Sequence, residues 1–151
     1  MKHTLKKMLF VTATLIAIPS HALAKNTVEF LNPKEATHNL PFSEAVRVGS
    51  TLFLSGQIGL INNTEKLISG GIQAETKQTL ENINATLASY GYSKNDVVKC
   101  TVMLADIADF GEFNKVYSNF FAKPYPARST FAVSGLAFNA KIEIECIAAK
   151  N

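Results

Sequence analysis

The segment Lys141-Ile142-Glu143-Ile144-Glu145-Cys146-Ile147-Ala148 alternates between two kinds of side chain and decides the fold prediction. Successive side chains of a β-strand point to opposite faces of its sheet. The even-numbered residues here are all apolar, whereas the odd-numbered residues are one lysine, two glutamates and one isoleucine. We therefore predict a strand that packs one face on a core and turns the other face away from it.

Outward from this strand, β-rich runs and helical periodicities alternate along the chain. The order β-β-β-α-β-α-β-β predicts an α+β fold in which two helices pack on one face of a mixed sheet. Gly49-Ser50, between the second and third strands, indicates a hairpin. Strands are predicted over Val28–Leu31, Ala45–Val48, Thr51–Leu54, Val97–Leu104, 129–134 and 141–148, and helices over 72–90 and from Asp109.

The second predicted helix carries a stripe of aromatic side chains. They recur at helical spacing, which favours a core-facing stripe over a base-stacking platform. The stripe consists of Phe110, Phe113, Tyr117, Phe120 and Phe121.

The second face of the sheet has no predicted helix to cover it. It carries a mixture of charges and apolar residues such as Ile147, Val97 or Met103. Solvent covers such a face in many antiparallel sheets. We favour a homo-oligomer that buries this face around a polar cleft, because Arg128 and Glu143 could then meet one ligand.

Residues 1–24 have the three parts of a secretory signal peptide. A basic start is followed by an apolar run over 8–19, too short to span a bilayer, and by Ala22-Leu23-Ala24. We predict cleavage after Ala24, one domain over residues 25–151, and a periplasmic or secreted protein without stable membrane association. A retained membrane anchor is the alternative.

Charge and histidine content narrow the function classes. The three lysines before the apolar run account for the net charge of +3, so residues 25–151 hold twelve basic and twelve acidic side chains. Without a basic cluster, nucleic acid is not expected as a main partner. His38 is the single histidine after residue 24 and no metal-ligand spacing occurs, so we expect no metal and no cofactor.

The two cysteines, Cys100 and Cys146, both fall on apolar faces of predicted strands. Export would permit a disulfide. Two buried thiols are equally consistent, because sequence does not give the separation that a disulfide requires.

Arg128 is one of two arginines among fifteen basic residues, and it follows Pro124-Tyr125-Pro126. A guanidinium holds a carboxylate by two parallel hydrogen bonds, which a lysine cannot do. The proline-rich loop restricts the backbone beside it. A clamp for a small carboxylate and a surface salt bridge with Glu143 or Glu145 are both open on this reasoning.

Glu143 is the candidate proton carrier, because a carboxyl group can act as a general acid or base once its pKa is adjusted. Its position in the alternating strand turns it away from the core. Glu145 shares that face and competes for the role. No seryl or cysteinyl nucleophile motif accompanies these residues.

Six segments, in order and at natural spacing, resemble the RidA/YjgF/YER057c family. The similarity covers nearly all of residues 40–150. The segments are 41–46 (PFSEAV), 54–59 (LSGQIG), 79–83 (TLENI), 96–99 (DVVK), 126–129 (PARS) and 142–145 (IEIE).

This resemblance implies a trimer with the chorismate-mutase-like fold, clefts between subunits and enamine/imine deaminase activity. The implied substrates are imino acids such as 2-aminoacrylate, which are hydrolysed to 2-keto acids and ammonia without a cofactor. By the same resemblance, Arg128 grips the substrate carboxylate, Glu143 activates water, and Asn114, Ser55 and Gly56 line the cleft.

Two site positions depart from the common pattern of the family. Phe42 stands where many members have tyrosine, so a hydroxyl is missing while an aromatic wall remains. Thr130 replaces the cysteine of some members. A non-enzymatic trimeric module that binds small carboxylates or acts as a holdase is the alternative function, and ribonuclease activity is disfavoured by the neutral charge balance.

The signal-peptide hypothesis is tested on protein recovered from an exporting host. We expect Edman sequencing to begin at Lys25, because the small residues at Ala22 and Ala24 define the cleavage site. A mature chain that begins at Met1 would rule out cleavage.

Overall fold

The alternating segment forms the strand Ile142–Ala149, which pairs with neighbours on both of its edges. The computed structural model describes residues 27–33, 41–61 and 64–150. The predicted signal peptide and His38 lie outside these residues. The described elements are β1 Val28–Leu31, β2 Ala45–Val48, β3 Thr51–Leu54, β4 Gln57–Ile58, α1 Gly71–Ser89, β5 Val97–Leu104, α2 Phe110–Phe120, β6 Ala127–Ala132 and β7 Ile142–Ala149.

The strands form one mixed sheet in the order β1-β2-β3-β7-β5-β6, and β4 also pairs with β7. All pairs are antiparallel except β5 and β6, which are parallel. The parallel pair arises because α2 carries the chain across between these strands. The predicted α+β class is confirmed, and the two-residue strand β4 is an addition to the predicted order.

The predicted hairpin joins β2 and β3 through two residues, since Val48 pairs with Thr51. Gly49 adopts a φ of 58° at the first turn position. Glycine has no Cβ to clash in this left-handed conformation, which explains why the sequence places it there.

Helix α1 covers the centre of the sheet with a stripe of threonine and aliphatic side chains. Leu80, Ile83 and Leu87 are fully buried in the core, as the helical periodicity predicts. Glu75 is also buried, and its Oε2 accepts a hydrogen bond from the Lys141 backbone N–H at 2.8 Å. This bond satisfies the buried carboxylate and ties α1 to the start of β7.

Helix α2 contributes the aromatic stripe to the same core. Phe113, Tyr117 and Phe121 are buried, and successive ring centroids lie 5.5 and 4.8 Å apart. The core prediction for these three is confirmed, whereas Phe110 is 39% exposed. Neither helix in the described part of the chain is long and apolar enough to cross a membrane.

Cys100 and Cys146 lie directly opposite each other in β5 and β7 and form a disulfide, with their Cα atoms 4.2 Å apart. Both residues are buried beneath the helices. Of the two arrangements compatible with the sequence, the structure contains the disulfide.

The face of the sheet opposite the helices is the outer face. Met103 and Glu143 are paired on it, as the alternation predicts. The prediction that Val97 lies on this face is wrong, because Val97 is buried in the helix-covered core. The pairing register shifts between Val97 and Lys99, and such an irregularity reverses the face on which the earlier residue lies.

Candidate active site

The guanidinium of Arg128 lies on an aromatic surface provided by α2. Its Cζ is 4.5 Å from the ring centroid of Tyr117, 5.1 Å from that of Phe113 and 5.7 Å from that of Phe110. Arg128 is on the helix side of the sheet because it is paired in parallel register with the core residue Cys100. Ring faces attract a cation at these distances, so the stripe both packs the core and supports the guanidinium.

Asn114 holds one edge of this guanidinium. Arg128 Nη2 donates a hydrogen bond to Asn114 Oδ1 at 2.9 Å. No carboxylate among the described residues forms an ion pair with Arg128, and neither Glu143 nor Glu145 contacts it. The surface salt bridge that the sequence left open is therefore not formed. A half-buried cation with remaining N–H donors is available for an external anion.

A cavity of about 330 Å³ opens beside Arg128. Within the described part of the chain, the hydroxyls of Tyr117 and Thr130 are buried without a hydrogen-bond partner. Burial raises the pKa of Tyr117 and the Arg128 charge opposes that rise. The cavity is lined by Asn114, Tyr117, Ser118, Tyr125, Pro126 and Arg128.

The helical spacing predicts Tyr117 as a core residue only. The signal that could have identified its second role is its spacing from Asn114, because residues three apart share one side of a helix. The polar Asn114 and the ring of Tyr117 thus approach the same guanidinium.

Glu143 lies on the outer face, between Ile142 and Ile144, which are both fully buried on the opposite side. Partial burial raises the pKa of the Glu143 carboxyl, and the negative charge of Glu145 adds to the rise. Glu145 is the more exposed of the two. A raised carboxyl pKa suits proton transfer near neutral pH, which favours Glu143 in the competition between them.

Gly56 lies directly against the Glu143 side chain. A Cβ built at Gly56 would be 2.0 Å from Glu143 Oε1. The neighbouring Ser55 is fixed in two ways: its Oγ donates to the Ser43 carbonyl at 2.7 Å and its backbone N–H donates to the Glu44 carbonyl at 3.0 Å. The break between β3 and β4 therefore makes room for the carboxylate.

The predicted site residues thus form two groups. Arg128 and Thr130 lie on the helix side of β6, with Asn114 above them, whereas Gly56 and Glu143 meet on the outer face. A single chain does not bring the two groups together, because the sheet separates them.

Phe42 precedes β2 and is 56% exposed. Its ring is free to serve as a wall, and no aromatic pair involves it among the described residues. Over the same residues, no group of three histidine, cysteine, aspartate or glutamate side chains could hold a metal ion.

The fold and the geometry define an α+β protein with a half-buried guanidinium on one side of its sheet and a carboxyl of raised pKa on the other. A model of the family described as Endoribonuclease L-PSP matches residues 33–150. The chain belongs to this family, the RidA/YjgF family.

Similar proteins are found in plants, animals and bacteria. The chain is 47% identical over 108 residues to Reactive Intermediate Deaminase A, chloroplastic, of Arabidopsis thaliana, a match that covers 72% of this chain and 58% of that protein. It is 43% identical over 108 residues to mouse 2-iminobutanoate/2-iminopropanoate deaminase, covering 72% and 80%. The crystal structure of Escherichia coli TdcF with bound serine has a TM-score of 0.71 and 35% identity, covering 76% and 91%.

Gly56→Ala is expected to displace the Glu143 carboxyl, because the added methyl group occupies its place. Moved toward water, the carboxyl loses the burial that raises its pKa, so the Glu143 pKa should fall toward its ordinary value. A carbon-13 NMR titration of the glutamate carboxyls measures this change.

Gly111→Ala is the matched control, since nothing lies within 4 Å of a Cβ at Gly111. It should leave the Glu143 titration unchanged. An unaltered Glu143 pKa in Gly56→Ala would contradict the contact.

Proposed function

We propose that this protein hydrolyses reactive enamine/imine compounds, imino acids related to 2-aminoacrylate, to 2-keto acids and ammonia. At the level of enzyme class, the chain is an imine deaminase, which is a hydrolase that acts on C–N bonds. This class rests on the names of curated relatives that are 43–47% identical to the chain. The observation that carries the proposal is Arg128, a half-buried guanidinium on an aromatic surface with no acidic partner among the described residues.

The guanidinium supplies the carboxylate recognition. Asn114 occupies one of its donors and the rings below restrict its orientation. The free donors can then receive a carboxylate through two parallel hydrogen bonds. Serine, the ligand in the TdcF structure, is itself a small carboxylate, which supports this assignment. Anchoring the carboxylate fixes the position of the adjacent imine carbon, and orientation of this kind supplies much of the rate enhancement.

Glu143 supplies the proton transfers. As its carboxylate removes a proton from water, the water oxygen bonds to the imine carbon and the C=N π electrons pass to nitrogen, giving a carbinolamine. The protonated carboxyl returns this proton to nitrogen, so that the carbinolamine is neutral. The Glu143 carboxylate then removes the proton of the carbinolamine hydroxyl and passes it to nitrogen. As the C=O bond forms, the C–N bond breaks with its electron pair going to nitrogen, which leaves as ammonia. The raised pKa of Glu143 suits both directions of transfer.

We propose that the complete site forms between subunits of a homotrimer. Arg128 and Glu143 lie on opposite sides of one sheet, so two copies are needed to place them on one ligand. The outer face also exposes apolar rings, with Phe53 43% and Phe131 46% accessible. Burying such rings in an interface is favourable. The cleft would then hold Phe42, Ser55 and Gly56 from one subunit, and Thr130 would come with Arg128 from its neighbour.

We also propose that residues 1–24 are an export signal and that the protein is periplasmic or secreted. Both proposals rest on the sequence pattern.

Carboxylate binding without turnover is the alternative function. It uses the same Arg128 and differs only in the role of Glu143. Nucleic acid is not included, because the charge of residues 25–151 is balanced.

Arg128→Ala and Arg128→Lys test the proposed clamp. Both should lower kcat/KM for 2-iminopropanoate, generated in situ, by about 30-fold or more, as loss of a buried charge partner commonly costs at least ~2 kcal/mol. Lysine cannot reproduce the bidentate geometry, so it should not restore the rate. Ammonia release measures the reaction.

Arg47→Lys is the matched control, because Arg47 is already engaged by Glu29 Oε2 at 3.1 Å and by the Tyr90 carbonyl at 3.0 Å. It should retain wild-type turnover. Full activity in Arg128→Ala would refute the clamp, and Arg128-dependent binding of pyruvate without any turnover by the wild type would favour the binding module.

Mixed oligomers test the shared site. Arg128→Ala and Glu143→Gln homo-oligomers should each be inactive. When they are unfolded together and reassembled at equal amounts, about a quarter of the sites should receive both intact residues from neighbouring subunits. Native mass spectrometry checks that mixed trimers form. Mixed trimers without restored turnover would show that the residues do not act across a subunit boundary.

A further inference from the structure

Tyr125 is an aromatic residue that the fold leaves 48% exposed. It stands between Pro124 and Pro126. Because each proline ring fixes its own φ, the loop that carries Tyr125 has restricted freedom. An exposed aromatic ring on a restricted loop loses little conformational entropy when a ligand packs on it.

The position of this ring is the second observation. Tyr125 and Pro126 form one wall of the cavity that contains Arg128, and Tyr117 and Asn114 contribute to its lining. A ligand whose carboxylate binds Arg128 therefore enters a space bounded by Tyr125. This wall is separate from the aromatic surface of α2, because the cation–ring contacts of Arg128 involve Phe110, Phe113 and Tyr117.

The size of the cavity is the third observation. At about 330 Å³, it lies at the lower end of the range that small-molecule sites occupy. The imino acid derived from alanine has a single methyl group beyond its reacting carbon. It would leave much of this space to water, whereas a branched or aromatic side chain could fill it and cover the Tyr125 ring.

We infer that Tyr125 and Pro126 form the subsite for the substrate side chain and select imino acids with large apolar or aromatic side chains over 2-iminopropanoate. The inference rests on the proposed function, since it takes Arg128 as the carboxylate anchor. Tyr125 acts as a specificity-determining residue, because its ring contacts the part of the substrate that distinguishes one imino acid from another. A carboxylate clamp alone cannot make this distinction, as every 2-imino acid carries the same carboxylate.

The test compares imines generated in situ from alanine, leucine and phenylalanine. For wild type, kcat/KM should be higher for the two larger imines, with gains within the range of about 10- to 200-fold that hydrophobic pockets achieve. Tyr125→Ala should lower kcat/KM about tenfold for the larger imines and less than about twofold for the alanine imine. Tyr125→Phe, which keeps the ring, should preserve the wild-type preference.

Phe138→Ala is the control, because Phe138 is another exposed ring, 56% accessible, and does not line the cavity. It should leave all three values unchanged. An equal loss for all three imines in Tyr125→Ala would overturn the inference, since a general defect is not selectivity. So would a wild-type enzyme that prefers the alanine imine.

Calorimetry separates this inference from the proposed reaction. The keto acids pyruvate, 4-methyl-2-oxopentanoate and phenylpyruvate carry the same side chains and need no turnover. Tighter binding of the larger keto acids that Tyr125→Ala abolishes would sustain the subsite even if no imine were hydrolysed. Equal binding of all three, or binding unaffected by Arg128→Ala, would overturn it whatever the enzyme assay shows.

Discussion

The side-chain period of two in β7 is the constraint on which the rest of the structure depends. It places Ile142, Ile144 and Cys146 in the core and turns Glu143 to the outer face. A shift of one residue in its pairing would bury the glutamates and expose the isoleucines. The same alternation separates Glu143 from Arg128 by the thickness of the sheet. The candidate site residues therefore fall into two groups on opposite faces of the sheet, and the intersubunit arrangement we propose follows from this separation.

Arg47 and Arg128 show how environment sets the role of a residue type. Both lie on the helix side of the sheet and both have an aromatic ring within 6.0 Å of Cζ. Arg47 donates to the Glu29 carboxylate and to the Tyr90 carbonyl, so its charge and donors are used within the chain. Arg128 has a neutral amide partner and aromatic rings. No carboxylate among the described residues forms an ion pair with its positive charge, which leaves that charge able to bind an external anion.

The sequence predicted the helices, the hairpin and the paired faces of β7 because each depends on local periodicity or turn chemistry. Val97 was misplaced because a register shift depends on the neighbouring strand and leaves no period in the sequence. The resemblance implied Gly56 as a site residue without a physical reason. The fold gives a steric reason, because the Glu143 carboxylate occupies the space that a Cβ at position 56 would take. Tyr117 was recognised as core, and its contact with Arg128 required the three-dimensional packing.

The disulfide connects the core to the clamp. Cys100 bonds to Cys146 in β7 and is also the register partner of Arg128 in β6. The covalent link therefore fixes β5, the strand that carries β6 at the sheet edge. Edge strands are held by hydrogen bonds on one side only, so an anchored neighbour limits the movement of Arg128 relative to α2. Because disulfides persist in oxidising compartments, the same link agrees with the proposed export, and it lies one strand away from the proposed carboxylate clamp.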